Sequence, residues 1–241
     1  AGTVKRVTME LGGKSPNIIF ADADLDLAVP AAGMAIFNNS GQVCSAGSRI
    51  FVERAIHDEF VARLVAFGQT LKLGHTLDPA TQIGPLVAER QRDRVLGLIE
   101  QGKAEGARVT TGGGRPDQPT GWFVEPTLFA DVDNTMTIAR EEVFGPVLSV
   151  LPYDSEADAI AIANDSPYGL SGSVWSADGA HAADIARQME TGTVTVNHFG
   201  MAFSAPFGGY KDSGLGRELG PEGLDAYLQA KSISLSPDPA G

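Results

Sequence analysis

Cysteine is almost absent from this sequence, since Cys44 is the single one among 241 residues. One thiol cannot form an intrachain disulfide and cannot supply the ligands of a multi-cysteine metal site, so no metal site is predicted. A lone reduced thiol is typical of a reducing compartment, and we therefore expect the protein to be cytoplasmic.

Positive charge and long apolar runs are also scarce. Lysine and arginine number 18 against 30 aspartates and glutamates, which gives a net charge of −12. So acidic a surface repels phosphate backbones and anionic lipids, and no nucleic-acid partner is expected. No apolar run approaches the roughly 18 residues of a membrane-spanning helix, so no membrane segment is expected. Hydrophobic residues nevertheless make up 43% of the chain, which is enough for a buried core.

Apolar periodicity alternates along the chain between short runs and helical stripes. Strands are predicted at 4–11, 17–20, 49–53, 109–111, 147–151, 170–175, 192–197 and 231–235. Helices are predicted at 25–38, 56–67, 89–103, 156–164, 179–190 and 221–229. This alternation predicts an α/β fold, with a mostly parallel sheet flanked by helices. In such sheets function gathers at the carboxyl ends of the strands, and we expect the site there.

Cys44 lies in a loop of small and polar residues between a predicted helix and a predicted strand. A lone cysteine is often a small buried hydrophobe, and that interpretation stays open. Its neighbours Gly41, Gln42 and Ser45 are not typical core residues, and small residues let a substrate approach the backbone closely. The alternative is a reactive thiol in a loop that aims backbone N–H groups at a developing oxyanion.

Two carboxylates adjoin turns. Glu10 closes the first predicted strand before Gly12 and Gly13. It is either a solvated carboxylate or a general base in a cleft, with a pKa raised by partial burial. Glu142 stands two residues before Phe144, in a turn that precedes a strand. This pair is either a simple turn with a buried ring or a site where Glu142 accepts hydrogen bonds from sugar hydroxyls.

Five segments, in order, resemble the aldehyde dehydrogenase superfamily over residues 7–235. They are MELGGKSP at 9–16, FNNSGQVC at 37–44, EVFGPV at 142–147, Asn164 with YGL at 168–170, and PFGGYKDSG at 206–214. The spacing from Glu10 to Cys44, 44 − 10 = 34 residues, also matches the family. Each segment alone is moderately specific, whereas the ordered set is very specific.

The resemblance implies roles for individual residues. Cys44 is the nucleophile, Glu10 is the general base, and the backbone N–H of Cys44 forms half of the oxyanion hole. NAD or NADP is the implied cofactor. The residues implied to contact it are Glu142, Phe144, Leu11 and Gly12.

The loop at 197–204 is implied to line the entrance for the aldehyde substrate. The entrance residues that we single out are Asn197, Phe199, Met201 and Phe203. Their apolar and aromatic character favours an apolar or aromatic aldehyde.

The implied reaction is the NAD(P)-dependent oxidation of an aldehyde to a carboxylic acid, through a thiohemiacetal and then a thioester on Cys44. A free thiol is only a few per cent ionised at pH 7, so the site must lower its pKa or supply a base. Glu10 favours hydrolysis of the thioester over acyl transfer to coenzyme A. Two alternatives remain open: a thiol esterase that needs no cofactor, and a non-catalytic module of the same fold.

Members of the superfamily carry roughly as many residues again before the matching region, including a Rossmann-like cofactor domain. We therefore expect residues 1–10 to be a strand or linker from a missing cofactor domain. Residues 11–229 are expected to form the catalytic domain, and residues 230–241 an oligomerisation strand and tail. The chain alone is expected to be weak or inactive, and the complete protein to be a homo-oligomer.

Overall fold

The structure is a computed structural model that describes residues 2–118 and 120–235. Its helices are α1 (Leu25–Phe37), α2 (His57–Thr70), α3 (Glu89–Ala104), α4 (Thr137–Arg140), α5 (Glu156–Asn164), α6 (Gly179–Ala186) and α7 (Gly220–Asp225). Its strands are β1 (Met9–Glu10), β2 (Pro16–Ile19), β3 (Arg49–Glu53), β4 (Arg108–Thr111), β5 (Thr127–Ala130), β6 (Val147–Tyr153), β7 (Tyr168–Gly169), β8 (Ser173–Trp175), β9 (Thr195–Val196), β10 (Tyr210–Lys211) and β11 (Gly214–Leu215).

A seven-stranded sheet in the order β4-β5-β6-β3-β2-β8-β9 organises the fold. Its neighbouring strands are parallel, except that β4 is antiparallel to β5. Apolar cores cover both faces, and alternate residues of β3 enter them: Phe51 joins one core, whereas Ile50 and Val52 join the other. The predicted α/β fold with a mostly parallel sheet is therefore confirmed.

Local capping chemistry explains why two helices begin where the sequence predicts. The side chain of Asp24 accepts a hydrogen bond from the backbone of Asp26 at the start of α1. Ser155 caps α5 in the same way by accepting from the N–H of Asp158. Such caps satisfy backbone donors that have no partner within the helix. Within the two described ranges, none of the helices has both the length and the apolar character needed to cross a membrane.

Several predicted elements differ in extent. The strand predicted at 4–11 is reduced to β1, because only its two residues pair with β11. The strands predicted at 170–175 and 192–197 are the shorter β8 and β9, and the helix predicted at 179–190 ends at Ala186. We did not predict β5, although all four of its residues are buried.

The strand predicted at 231–235 is not formed within the single chain that the structure describes. These residues form no regular structure, and Ile233 and Leu235 are 79% and 84% exposed. A strand needs a hydrogen-bonded neighbour, and the described part of the chain offers this segment none. The predicted tail at 236–241 lies outside the described residues, and α7 ends at Asp225 instead of reaching residue 229.

Candidate active site

Three of the predicted site segments lie before strands of the central sheet, whereas the predicted entrance residues at 197–203 follow β9. Gly12 and Gly13 precede β2, Cys44 precedes β3, and Glu142 precedes β6. Because β2, β3 and β6 run parallel, these segments meet at the amino edge of the sheet. The expectation of a site at the carboxyl ends was therefore wrong. The site lies at the amino edge because the glycine-containing loops before β2, β3 and β6 contact one another closely there.

A tight turn after α1 positions the loop that carries Cys44. The turn spans Asn38–Gly41, and Gly41 adopts a φ of 73°. A Cβ on Gly41 would lie 2.0 Å from the carbonyl oxygen of Gly145, so only glycine permits this approach. The contact joins the Cys44 loop to the loop of Glu142, and Cys44 itself is half-buried.

The thiol of Cys44 is not activated by its surroundings. Burial raises the pKa of Cys44, and the nearby carboxylates of Glu142 and Glu10 raise it further. The backbone N–H groups of Ser45 and of Cys44 itself act in the opposite direction, but the net shift of the pKa is upward. Glu10 and Glu142 thus lie close enough to Cys44 for their charges to act on its thiol, and we call the region between these three residues the crevice. A base is needed to take the thiol proton.

Glu10 has the properties that such a base requires. It is the last residue of β1 and is held opposite Gly214. Burial raises the pKa of Glu10, the charge of Glu218 raises it further, and Arg217 lowers it. Its Oε2 atom is buried and has no hydrogen-bond partner among the described residues. A carboxylate with a raised pKa and a free oxygen is suited to accept a proton near neutral pH.

The glycine pair before β2 holds Glu142. Gly13 donates its backbone N–H to Oε1 of Glu142 across 3.0 Å. A Cβ on Gly12 would lie 2.5 Å from Oε2 of Glu142, and a Cβ on Gly13 would lie 2.2 Å from the carbonyl oxygen of Cys44. Position 13 therefore requires glycine if the two loops are to pack this closely, whereas a Cβ at position 12 would displace only the end of the Glu142 side chain. Burial raises the pKa of Glu142, which the Gly13 N–H partly offsets.

Helix α3 fixes the rest of the Glu142 loop. The guanidinium of Arg94 donates to the backbone carbonyls of Glu142 and Val143 at 2.8 and 2.9 Å. The amide of Gln91 donates to the carbonyls of Val143 and Phe144 at 3.1 and 2.8 Å. Phe144 adopts a φ of 55°, and its residue is 36% exposed, so its ring is available at the surface of the site.

The donor and acceptor set at this end of the crevice fits a nicotinamide nucleotide. A carboxylate held by one backbone N–H keeps acceptor capacity for the vicinal hydroxyls of a ribose. Gly12 leaves space beside Oε2 of Glu142, because no Cβ fills it. Leu11 is 48% exposed next to it, and its own N–H donates to Ser213 at 3.0 Å. These residues and Phe144 are the candidates for holding the cofactor.

A cavity of about 430 Å³ opens beside Cys44, whose sequence neighbours Val43 and Ser45 line it. Phe199 and Met201 from the predicted entrance also line it, whereas Asn197 and Phe203 do not. The volume lies within the range of about 300–1,000 Å³ that is common for small-molecule sites.

Asn197 and Phe203 lie elsewhere. The side chain of Asn197 exchanges two hydrogen bonds with the backbone of Ser176, at 2.9 and 3.0 Å, and so connects the ends of β8 and β9. Phe203 is 76% exposed.

Sequence reasoning missed several residues of the site. Met34 and Phe207 line the cavity, and Arg217 and Glu218 act on the charge of Glu10. Helical periodicity offered a signal for Met34, because the cavity-lining residues 31, 34, 35 and 38 share one face of α1. Phe207 belongs to the motif at 206–214, so that motif offered the signal for Phe207.

A buried lysine lies in the segment that precedes β2. Lys14 is 1% exposed, and its Nζ has no hydrogen-bond partner within the described part of the chain. Burial lowers the pKa of Lys14 to about 7, with Arg49 acting in the same direction and Glu142 opposing it.

Comparison with known families decides the classification. The model of the aldehyde dehydrogenase family matches residues 1–233. The chain belongs to the aldehyde dehydrogenase family. The resemblance predicted from five ordered motifs is thereby confirmed.

Individual relatives within the aldehyde dehydrogenase family are about equally similar. Betaine aldehyde dehydrogenase of Bacillus subtilis is 48% identical over 244 residues, which cover 100% of this chain and 50% of the relative. Geranial dehydrogenase of Castellaniella defragrans is 50% identical over 235 residues, which cover 98% of this chain and 49% of the relative. The chain therefore spans about half the length of the curated relatives that it matches.

A solved structure agrees with the fold. The crystal structure of a Mycobacterium tuberculosis aldehyde dehydrogenase in complex with NAD+ superimposes with a TM-score of 0.93 at 52% identity. The match covers 95% of this chain and 48% of that one.

Proposed function

We propose that this chain is the catalytic domain of an enzyme that oxidises an aldehyde to a carboxylic acid with NAD or NADP. The observation that carries the proposal is the proximity of Glu10 and Glu142 to the Cys44 thiol, together with a cavity lined by Val43 and Ser45, the sequence neighbours of Cys44. Family membership and relatives named for aldehyde oxidation support it.

Cys44 carries the covalent chemistry. Its sulfur attacks the aldehyde carbon after the thiol proton passes to a base, and the resulting oxyanion faces the backbone N–H of Cys44. A bound nicotinamide supplies the acceptor for the hydride that leaves this carbon. A thioester on Cys44 remains.

Glu10 carries the second half of the reaction. Its raised pKa and unpartnered Oε2 suit it to take a proton from water, which then attacks the thioester. The products are the carboxylic acid and the free thiol of Cys44. Release of an acid, and not transfer to coenzyme A, follows from the presence of this base.

Four residues are proposed to hold the cofactor at the crevice. Glu142 accepts hydrogen bonds from the nicotinamide ribose, Phe144 packs near the nicotinamide ring, and Leu11 and Gly12 form the adjoining wall. The proposed entrance consists of Phe199 and Met201, with Asn197 and Phe203 farther out. Because these residues supply only part of a dinucleotide site, residues 11–229 alone are expected to turn over weakly, with residues 1–10 as a connection to a cofactor domain.

Localisation and oligomeric state are further parts of the proposal. A reactive thiol at Cys44 must stay reduced, which favours the cytoplasm. The exposed apolar residues of 231–235 support pairing with another chain, and we propose that the complete protein is a homo-oligomer.

An ester substrate tests the roles of Cys44 and Glu10 without a hydride acceptor. With p-nitrophenyl acetate, the wild-type chain should release a burst of p-nitrophenol followed by a slower steady rate. Cys44→Ala should abolish both phases. Glu10→Gln should lower the steady rate by roughly 10²-fold or more, because deacylation needs the base, and should also slow the burst, because the thiol proton has to pass to a base.

Two results would contradict the proposal. One is a burst that persists in Cys44→Ala, and the other is a steady rate that is unchanged in Glu10→Gln. Glu222→Gln serves as the control, since Glu222 is an exposed carboxylate of α7. In a parallel assay with an aldehyde and NAD+, robust formation of reduced cofactor by the 241-residue chain would contradict the expected need for a further domain.

A further inference from the structure

The lining of the cavity beside Cys44 is apolar. Five of its residues present large hydrocarbon, thioether or phenyl groups, and these are Met34, Val43, Phe199, Met201 and Phe207. Unbranched methionine side chains adapt to different ligand shapes more easily than branched ones. A substrate that enters this cavity exchanges water for hydrocarbon surface over most of its length.

The polar groups of the lining are neutral. They are the hydroxyls of Ser45, Ser171 and Thr193 and the amide of Asn38. The Thr193 hydroxyl is buried and has no hydrogen-bond partner in the described ranges. These groups offer hydrogen bonds to a carbonyl or hydroxyl but no compensating charge.

An organic cation has little to stabilise it in such a space. No carboxylate is found among the described residues that line the cavity, and Glu10 and Glu142 lie outside it. A quaternary ammonium group cannot donate hydrogen bonds, so its desolvation must be repaid by negative charge or by several aromatic faces. Phe199 and Phe207 are the aromatic residues in the described lining, and phenylalanine is a weaker cation–π partner than tryptophan.

We propose that this cavity selects uncharged aldehydes with a hydrocarbon body and discriminates against aldehydes that carry a quaternary ammonium group. The inference rests on the proposed function, because it assumes that the aldehyde reaches Cys44 through this cavity. Met34 and Phe199 are the proposed specificity-determining residues, since they lie on opposite elements, α1 and the 197–204 loop.

Reversible addition of the aldehyde to Cys44 provides a test that needs no cofactor. A bond forms between the sulfur and the aldehyde carbon, the carbonyl π bond breaks, and the thiol proton ends on the oxygen. The adduct protects Cys44 from iodoacetamide, so the aldehyde concentration that halves the labelling rate reports affinity. This concentration is divided by the aldehyde concentration that halves the labelling rate of N-acetylcysteine. The ratio removes differences in intrinsic electrophilicity between the aldehydes.

Two isosteric aldehydes isolate the effect of charge. 3,3-Dimethylbutanal and trimethylammonioacetaldehyde differ only in a quaternary carbon against a quaternary nitrogen. We expect 3,3-dimethylbutanal to protect the 241-residue chain at a normalised concentration at least about tenfold lower than trimethylammonioacetaldehyde does. In the series from propanal to hexanal, each added methylene should lower that concentration by up to roughly fourfold, the equivalent of full burial.

A charge placed in the cavity should reverse the preference. Met34→Glu introduces a carboxylate on the cavity face of α1 and should bring protection by the ammonium compound to at least the level of its isostere. Leu77→Glu is the matched control, because Leu77 is 86% exposed and outside the lining.

Different results would overturn the selectivity and the proposed function. Equal or better protection of the wild-type chain by the ammonium isostere would overturn the selectivity and leave the role of Cys44 intact. Protection by no aldehyde at all would overturn the proposed function, and the inference with it.

Discussion

Gly13 donates its backbone N–H to the carboxylate of Glu142 at 3.0 Å, although 129 positions separate the two residues in the chain. The contact brings the entrance of β2 against the entrance of β6. It explains why the proposed nucleophile and the proposed ribose-binding carboxylate meet at the amino edge of the sheet.

Alanine at the two glycines should therefore have unequal effects. In Gly13→Ala the new Cβ meets the backbone oxygen of Cys44 at 2.2 Å, which cannot move without displacing the loop. We expect a loss of at least about 2 kcal/mol in the free energy of unfolding. In Gly12→Ala the Cβ meets the mobile end of Glu142 at 2.5 Å, so the loss should be smaller, about 1 kcal/mol.

Urea unfolding measures these differences. Gly97→Ala is the control, because Gly97 lies inside α3 with open space around its Cβ position. It should stabilise the chain by roughly 0.5–1 kcal/mol. Equal losses in Gly12→Ala and Gly13→Ala would show that the backbone contact with Cys44 does not matter.

The alkylation of Cys44 should depend on pH in a distinctive way. Burial and two carboxylates raise the pKa of the thiol, so the rate with iodoacetamide should reach its midpoint above the ordinary value of about 8.5. Glu142→Gln removes one of these charges and should move the midpoint downward. Glu141→Gln, one residue away and exposed, should leave it in place. A wild-type midpoint below that of N-acetylcysteine would refute this account of the site.

Lys14 should make stability depend on pH between about 7 and 10.5. The unfolded chain keeps the proton of this lysine up to the ordinary lysine pKa of 10.5, whereas the folded chain loses it at about 7. Between these values the unfolded chain binds more protons, so the contribution of Lys14 to stability rises with pH and is smallest below 7.

Lys14→Met removes this titration while keeping an apolar side chain of similar length. From pH 7 to pH 9 the free energy of unfolding of the wild type should gain about 2 kcal/mol relative to the variant. Denaturant titrations of both proteins at each pH provide the measurement. A difference between them that stays constant with pH would mean that Lys14 remains charged in the folded chain.

The segment at 231–235 should make the chain self-associate. Ile233 and Leu235 are 79% and 84% exposed on a stretch that has no paired strand among residues 2–118 and 120–235. The double variant Ile233→Lys and Leu235→Lys should lower the apparent mass in light scattering at high protein concentration. Leu77→Lys, a change at a similarly exposed site, should not. A wild-type chain that is already monomeric would remove the basis for this expectation.

Local signals account for the elements that the sequence predicted well. Helix α5 has the predicted bounds because Ser155 caps it and its buried residues Ala159 and Ala163 lie one turn apart. Strand β3 is also found at the predicted 49–53, where a continuous apolar run suits a strand that is covered on both faces. The strand predicted at 231–235 is not formed within the single chain, because pairing is not a local property.

The ordered motifs determined the family, and with it Cys44, Glu10 and Glu142 as candidates. Residue types and their spacing are properties of the sequence itself. Only the tertiary structure decided at which edge of the sheet these residues meet, how Arg217 and Glu218 act on Glu10, and that Met34 faces the same cavity as Phe199. These relationships depend on contacts between segments far apart in the chain, and a linear pattern carries no information on which loops approach within a hydrogen-bond length.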